Sequence, residues 1–231
     1  MKRVMLDAGH GGHDPGAKKY IVEKDTALKL ALYTGEALAK GYEGIEVLYT
    51  RKTDKFISLT DRAAMANRAD VDYFVSFHHN GGGGTGFESY IHPAAGARTV
   101  AYQNTVHAEI MAFLSKQGVR DRGKKRADYA VLRETVMSAI LLENLFVDHA
   151  ADAAKLKDDK FLRGLAAAIA RGIAKALGLK PKVTKPAQPE PKTDGVWIVQ
   201  VGAFAKKASA EELAKEIKKK TDIEPYVWLK K

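Results

Sequence analysis

Residues 4–17, VMLDAGHGGHDPGA, run from a short apolar stretch straight into a loop holding Gly9, Gly11, Gly12 and Gly16. Such a pattern reads as a buried strand followed by a tightly folded loop. Glycines after a first strand are also the mark of a dinucleotide-binding turn. Here the register fails: Gly9-His10-Gly11-Gly12-His13-Asp14 lacks the third glycine, and no helical pattern follows at once. The loop reads instead as backbone wrapped closely around His10 or His13. In α/β sheets the carboxyl ends of strands are where ligands bind, so a histidine here gains meaning if partners arrive from other strands.

Outward from this stretch, short apolar runs alternate with helical patterns. Strands are expected at Arg3–Asp7, Ile45–Thr50, Val71–Phe77, Phe87–His92 and Ala139–Glu143, and helices at 26–40, 59–69, 99–117 and 158–177. In the last helix Leu162, Leu165, Ile169, Ile173 and Leu177 recur at helical spacing, Asp158 or Asp159 can cap the start, and Gly178 ends it. Ser58 with Asp61 resembles a capping box for 59–69. The alternation predicts an α/β fold, a mostly parallel central sheet flanked by helices on both faces. In such a sheet the strand ending in VDYFVSFHHN (71–80) delivers His78 or His79 to the same edge as His10. Glu23 lies in the adjoining loop, and Glu143 ends the apolar run SAILLEN (138–144). An acid at the end of a buried strand is costly unless paired, hydrated or bound to a metal. Two histidines and a glutamate around zinc, with water in the fourth position, form a known catalytic set. Spacing alone does not separate that set from unrelated polar residues.

Composition narrows the field. The 231 residues are 45% hydrophobic and 29% charged, which excludes a mostly disordered chain. There is no cysteine, which removes disulfides, cysteine-held metals and thiol catalysis. No stretch approaches the roughly 20 apolar residues that span a bilayer. The net charge of +10 fits an anionic polymer but selects none. Four of the seven prolines fall in LKPKVTKPAQPEPKTDG (179–195), which reads as a linker between 1–178 and a short β-α-β segment, 196–231. That segment is too small for an independent core.

The segments LDAGHGGHDPGA (6–17), VEKD (22–25), TRKTDKFISLTDRAAMANRADVDYFVSFHHN (50–80) and YAVLRETVMSAILLENLFVDH (129–149) together resemble the zinc-dependent N-acetylmuramoyl-L-alanine amidases of the amidase-3 type. The resemblance implies a zinc ion held by His10, Glu23 and His78, with Glu143 as catalytic residue. His79 stands where the family usually has a small residue, and the sequence leaves open whether it competes with His78 for the metal. Asn144-Leu145 stands before Phe146, where the family tends to show a small residue or glycine. Ser138 replaces a common proline, and Asp148-His149 a Ser-Asn-like pair. These departures bear on loop shape and substrate fit. The segment VWIVQVGAFAKKASAEELAKEIKK (196–219) is similar to the first half of a SPOR domain, a peptidoglycan-binding module, and its truncation implies part of one.

The resemblance implies hydrolysis of the amide between N-acetylmuramic acid and L-alanine by a phage endolysin or autolysin. A zinc peptidase acting on stem peptides and a non-catalytic wall-binding protein are the alternatives. The expected partners are peptidoglycan and anionic wall polymers, with no nucleic acid, since the basic run GVRDRGKKR (118–126) lacks interleaved aromatics and reads as a solvated loop. A monomer is expected. The apolar run Val4-Met5-Leu6 is too short for a signal-peptide core, so release by lysis, holin-type export or a mature form is expected. Arg51 and Arg62 read as loop-fixing ion pairs with Asp54 or Asp61. His13, His92, His107 and His149 read as surface or hydrogen-bonded residues, and Gly81–Gly84 as a loop beside the cleft.

Overall fold

The computed structural model describes residues 1–182, 204–221 and Pro225, and the chain divides into compact units Met1–Thr184 and Lys185–Lys231. The strands expected in the C-terminal segment and most of the linker lie outside the described residues. In the second unit the described element is a helix, Lys207–Lys220.

The first unit holds a six-stranded sheet in the order β2-β1-β3-β6-β4-β5. Its strands are β1 (Lys2–Ala8), β2 (Ile45–Tyr49), β3 (Tyr73–Asn80), β4 (Phe87–Ile91), β5 (Asp121–Arg126) and β6 (Ser138–Phe146). β2, β1, β3 and β6 run parallel; β4 is antiparallel to β6, and β5 is parallel to β4. The helices are α1 (Glu23–Gly41), α2 (Leu59–Arg68), α3 (Ala97–Leu114), α4 (Ala130–Arg133), α5 (Ala150–Lys157) and α6 (Asp159–Leu177). The α/β architecture expected from the sequence is present, with helices on both faces.

The two faces differ in depth. On one, Val4, Leu6, Val75, Phe77, Ile140 and Leu142 pack beneath α1, α3 and α6 in a large apolar core. The five periodic apolar residues of α6 are all buried there, and Asp158 caps its first turn by accepting from the Lys160 and Phe161 amides. On the other face, the short helices α2 and α4 cover a smaller cluster of Met5, Phe74, Ala139 and Leu141. Ser58 Oγ caps α2 by accepting from the Asp61 amide at 3.1 Å.

Side chains on one face of a sheet recur every second residue, so the second face can be read row by row. Met5, Phe74 and Ala139 form an apolar row; Asp7, Ser76, Leu141 and Tyr90 form the next; His78, Glu143 and Glu88 form the third. Polarity rises from the first row to the third.

One reading is corrected. The basic run at 118–126 is not a solvated loop: Asp121–Arg126 is edge strand β5, paired with β4. Charged residues are common on edge strands because they discourage further pairing. Of the residues read as linker, Lys180 and Lys182 are hydrogen-bonded to the end of α1, through Glu43 N to Lys180 O and Lys182 N to Gly41 O.

Candidate active site

β1 ends at Ala8, and the chain turns at once into the glycine-rich loop. His10 adopts φ +59°, a left-handed conformation that costs a side-chain-bearing residue energy and is retained where surrounding structure enforces it. Two buried arginines supply that enforcement. Arg62 donates to the carbonyls of Ala8 and His10, both at 2.6 Å, and Arg51 donates to those of Ala8, Gly9 and Lys24 at 2.8–2.9 Å. The charge of Arg62 is met by Asp7, 2.7 Å away and fully buried, which also accepts from Thr50 Oγ1 and Ser76 Oγ. The expected pairing of these arginines with Asp54 or Asp61 is thus replaced: Arg62 pairs with Asp7, and Arg51 holds main-chain oxygens. Asp7 belongs to the strand face rather than to the adjacent loop, so sequence proximity pointed elsewhere.

The clamped loop meets β3 and the first residue of α1 at one point. Glu23 Oε1 lies 3.1 Å from His10 Nε2 and 3.0 Å from His78 Nδ1. One ligand atom from each residue lies within 4.8 Å of the others. Glu23 is oriented by two main-chain amides, Ala17 on Oε2 at 2.8 Å and His79 on Oε1 at 3.0 Å. His10 Nδ1 bonds Asp14 Oδ2 at 2.8 Å, which directs Nε2 inward in the manner of metal-ligating histidines backed by a carboxylate. Glycine is required where His78 and Glu23 crowd the backbone. A Cβ on Gly9 would lie 2.3 Å from the His78 ring, and one on Gly16 (φ +64°) would lie 2.5 Å from Glu23 Oε2.

The electrostatics suit a cation. Burial raises the cost of the Glu23 charge, but bonds from both imidazoles hold its carboxyl well below the usual range. Burial opposes a charge on His10, yet Glu23 and Asp14 outweigh it and raise the imidazole to about 8. The carboxylates around His10 thus favour positive charge at this point. Two imidazole nitrogens and one carboxylate oxygen match the donors that zinc takes.

His79 turns away from this point. Its ring is buried and its Nδ1 bonds the Asn144 carbonyl, so it is outside the three-residue group. Glu143 sits directly beside His78 across β3 and β6. Its Oε2 is buried without a hydrogen-bond partner among the described residues. Burial pushes its carboxyl up to about 7; His78 opposes this, and Glu23 and Glu88 add to it. Leu145 takes φ +67°, which accounts physically for glycine being favoured before Phe146. His107 bonds Ser89 and Asp121, His92 lies near Asp128, and His149 caps α5. His13 stacks on Phe56.

Sequence reasoning missed Glu88. It is buried on β4 in register with Glu143, and accepts from Asn80, Tyr90, Arg122 and Lys125. The signal that singled out Glu143, an acid inside an apolar run, is equally present in Phe87-Glu88-Ser89-Tyr90-Ile91.

Comparison with known proteins agrees with this geometry. A family model described as N-acetylmuramoyl-L-alanine amidase matches residues 4–175, and a SPOR domain model matches 167–231, beginning inside α6. The chain is 43% identical over 215 residues to the sporulation-specific N-acetylmuramoyl-L-alanine amidase of Bacillus subtilis strain 168, covering 93% of this chain and 80% of that protein. It is 46% identical over 185 residues to the endolysin of Bacillus phage SPP1, covering 78% and 68%. The structure of the N-acetylmuramoyl-L-alanine amidase from Clostridium difficile 630 superposes with a TM-score of 0.73 at 33% identity, covering 77% of this chain and 97% of that one. The chain belongs to the N-acetylmuramoyl-L-alanine amidase family, whose members are peptidoglycan amidases.

Proposed function

We propose that the amidase is zinc-dependent, with His10, Glu23 and His78 as the ligands and Glu143 as general base. The observation that carries this reading is the convergence of His10 Nε2 and His78 Nδ1 on one oxygen of Glu23, beside a carboxyl group with an unspent oxygen. When bound, zinc supplies a water with its pKa lowered to about 7 and polarises the carbonyl under attack. Glu143 takes the proton from the attacking water and returns it to the departing amine of L-alanine. A carboxyl titrating near neutrality suits both halves of that transfer, since it must accept a proton and then release it. Asp14 holds His10 in one tautomer, and the Ala17 and His79 amides hold the Glu23 carboxylate in one plane.

The test is identification of the amino group freed from purified peptidoglycan. L-alanine should be the new amino terminus, its release should stop on chelation, and added zinc should restore it. Release that continues unchanged after exhaustive chelation overturns the zinc assignment. A different liberated residue points to a peptidase.

We infer the same setting for the whole chain: action at the cell wall, with the SPOR-like segment and the net charge of +10 favouring contact with peptidoglycan and anionic wall polymers. Among the described residues no helix is long and apolar enough to cross a membrane. Wall binding that weakens steeply with added salt supports the electrostatic share.

A further inference from the structure

Beside Glu143 lies a second built feature that the amide chemistry does not use. Glu88 occupies the position across β4 from Glu143, and its side chain is 3% exposed. Its Oε1 accepts from Asn80 Nδ2 at 2.8 Å and Tyr90 OH at 3.0 Å, while its Oε2 accepts from Arg122 Nε at 2.8 Å and from Lys125 Nζ. A buried carboxylate is costly unless its charge is met. Here it is met twice over: two cations face one anion, so the cluster keeps one positive charge. Arg122 and Lys125 are themselves 28% and 37% exposed, which leaves that surplus facing solvent at the rim of the row that holds His78 and Glu143.

The arginine is fixed but not exhausted. Its Nε is spent on Glu88, and its guanidinium carbon lies 4.9 Å from the centre of the Phe146 ring. No protein acceptor meets its two terminal nitrogens among the described residues. A guanidinium anchored through Nε on a buried carboxylate, beside an aromatic ring and with both terminal nitrogens free of protein acceptors, keeps the pair of donors that can grip a carboxylate with two bonds. A solvated surface arginine would have neither the buried anchor nor the aromatic floor.

We propose that Arg122 and Lys125, anchored by Glu88, form a carboxylate-binding subsite that takes a free carboxylate of the stem peptide attached to the scissile amide. This rests on the reading that Glu143 lines the cleft. It deepens that reading by naming the acidic peptide as what the β5 side of the cleft selects. Phosphate groups of wall polymers would meet the same donors, and the test separates them from the peptide.

The experiment uses the full chain and soluble glycan oligomers bearing L-alanyl-D-glutamate stems. Their α-carboxylate is either free or converted to the carboxamide. The reading is the ratio of kcat/KM between the two substrates. A charge-assisted bidentate contact predicts a preference for the free acid of about tenfold or more in the unaltered protein, carried mainly by KM. Arg122→Gln should bring the ratio close to one, and Arg122→Lys should restore part of it. Lys124→Gln removes a neighbouring charge that bonds Asn104 instead, and should leave the ratio unchanged. A ratio near one in the unaltered protein overturns the proposal without any variant. So does an Arg122→Gln protein that is slower on both substrates equally. Wall polymer phosphate as the true ligand would appear as competition by glycerol phosphate oligomers with no preference between the two stems, and that too overturns it. Because the ratio is taken within one enzyme, it does not depend on how the water is activated. Failure of the zinc assignment would show in the chelation experiment and leave the ratio standing.

Discussion

Two clusters of histidine and carboxylate lie on opposite faces of the same sheet, and only one has the makings of a reaction centre. On the face covered by α3, Ser89 Oγ bonds His107 Nδ1 at 2.9 Å and Asp121 Oδ1 bonds His107 Nε2 at 3.0 Å. These are the residue types of a nucleophilic triad. Yet Ser89 is fully buried, Gln103 donates to its hydroxyl, and burial lowers the His107 pKa. The serine and the imidazole are buried with their bonds spent, so no substrate reaches the would-be nucleophile. On the other face, His10 and His78 keep 23% and 17% of their side chains exposed, and Glu143 keeps a carboxyl oxygen unpaired. Reactivity tracks unspent bonding capacity and access, not the list of residue types.

The contrast can be broken most severely at Glu143. Glu143→Gln should lower amide hydrolysis by at least about a thousandfold, within the range of lost general acid–base catalysis, while zinc stoichiometry measured by atomic emission stays at its original value. Retained activity would remove the distinction between the two faces. A smaller effect is expected at Gly16, where an added Cβ meets Glu23 and His10. Gly16→Ala should weaken zinc binding by calorimetry about 10- to 100-fold, as disturbed support of metal ligands does.

Stability sharpens the comparison further. In the metal-free protein the Glu143 carboxyl is raised to about 7 from an ordinary 4.5. The native state then binds the proton more tightly than the unfolded chain, so stability falls as pH rises between those values. Glu143→Gln removes the penalty. By denaturant titration it should gain about 3 kcal/mol over the original at pH 8 and nothing at pH 4. Equal gains at both pH values would mean that packing, not charge, is responsible.

Leu145 sets two effects against each other. Leu145→Gly relieves a left-handed leucine, about 1–2 kcal/mol, but empties a fully buried site, which costs about 2–5 kcal/mol. The cavity should win, with a net loss of about 1–3 kcal/mol in the same titration. The smallest effect belongs to the closed cluster: Ser89→Ala should leave hydrolysis of peptidoglycan within about twofold, as substitutions away from the working groups do.

Much of this was legible in the sequence, for identifiable reasons. The parallel core showed itself because β1, β3 and β6 each carry a compact apolar stretch, Val4–Leu6, Tyr73–Val75 and Ala139–Leu142, as strands covered on both sides do. His10, His78 and Glu143 stood out because they lie at or just beyond the ends of apolar runs, and the family resemblance, not spacing, grouped them with Glu23. β5 was illegible because Asp121-Arg122-Gly123-Lys124-Lys125-Arg126 carries no apolar residue, and its place in the sheet comes from pairing with β4. α4 spans four residues, too few to show a period. The competition between His78 and His79 could not be decided from spacing, since it depends on one ring turning toward the Asn144 carbonyl. The partners of Arg51 and Arg62 were hidden for a related cause. They are main-chain oxygens and a residue 55 positions away, neither of which leaves a local signature.

That last feature has an evolutionary side. Arg51 and Arg62 steady the loop by gripping carbonyl groups of Ala8, Gly9, His10 and Lys24, and every amino acid brings the same carbonyl. Side chains along the outer rim, such as His13 or Lys19, can be exchanged without loosening that grip. A descendant chain can thus vary the exposed surface of this loop while inheriting its backbone course intact.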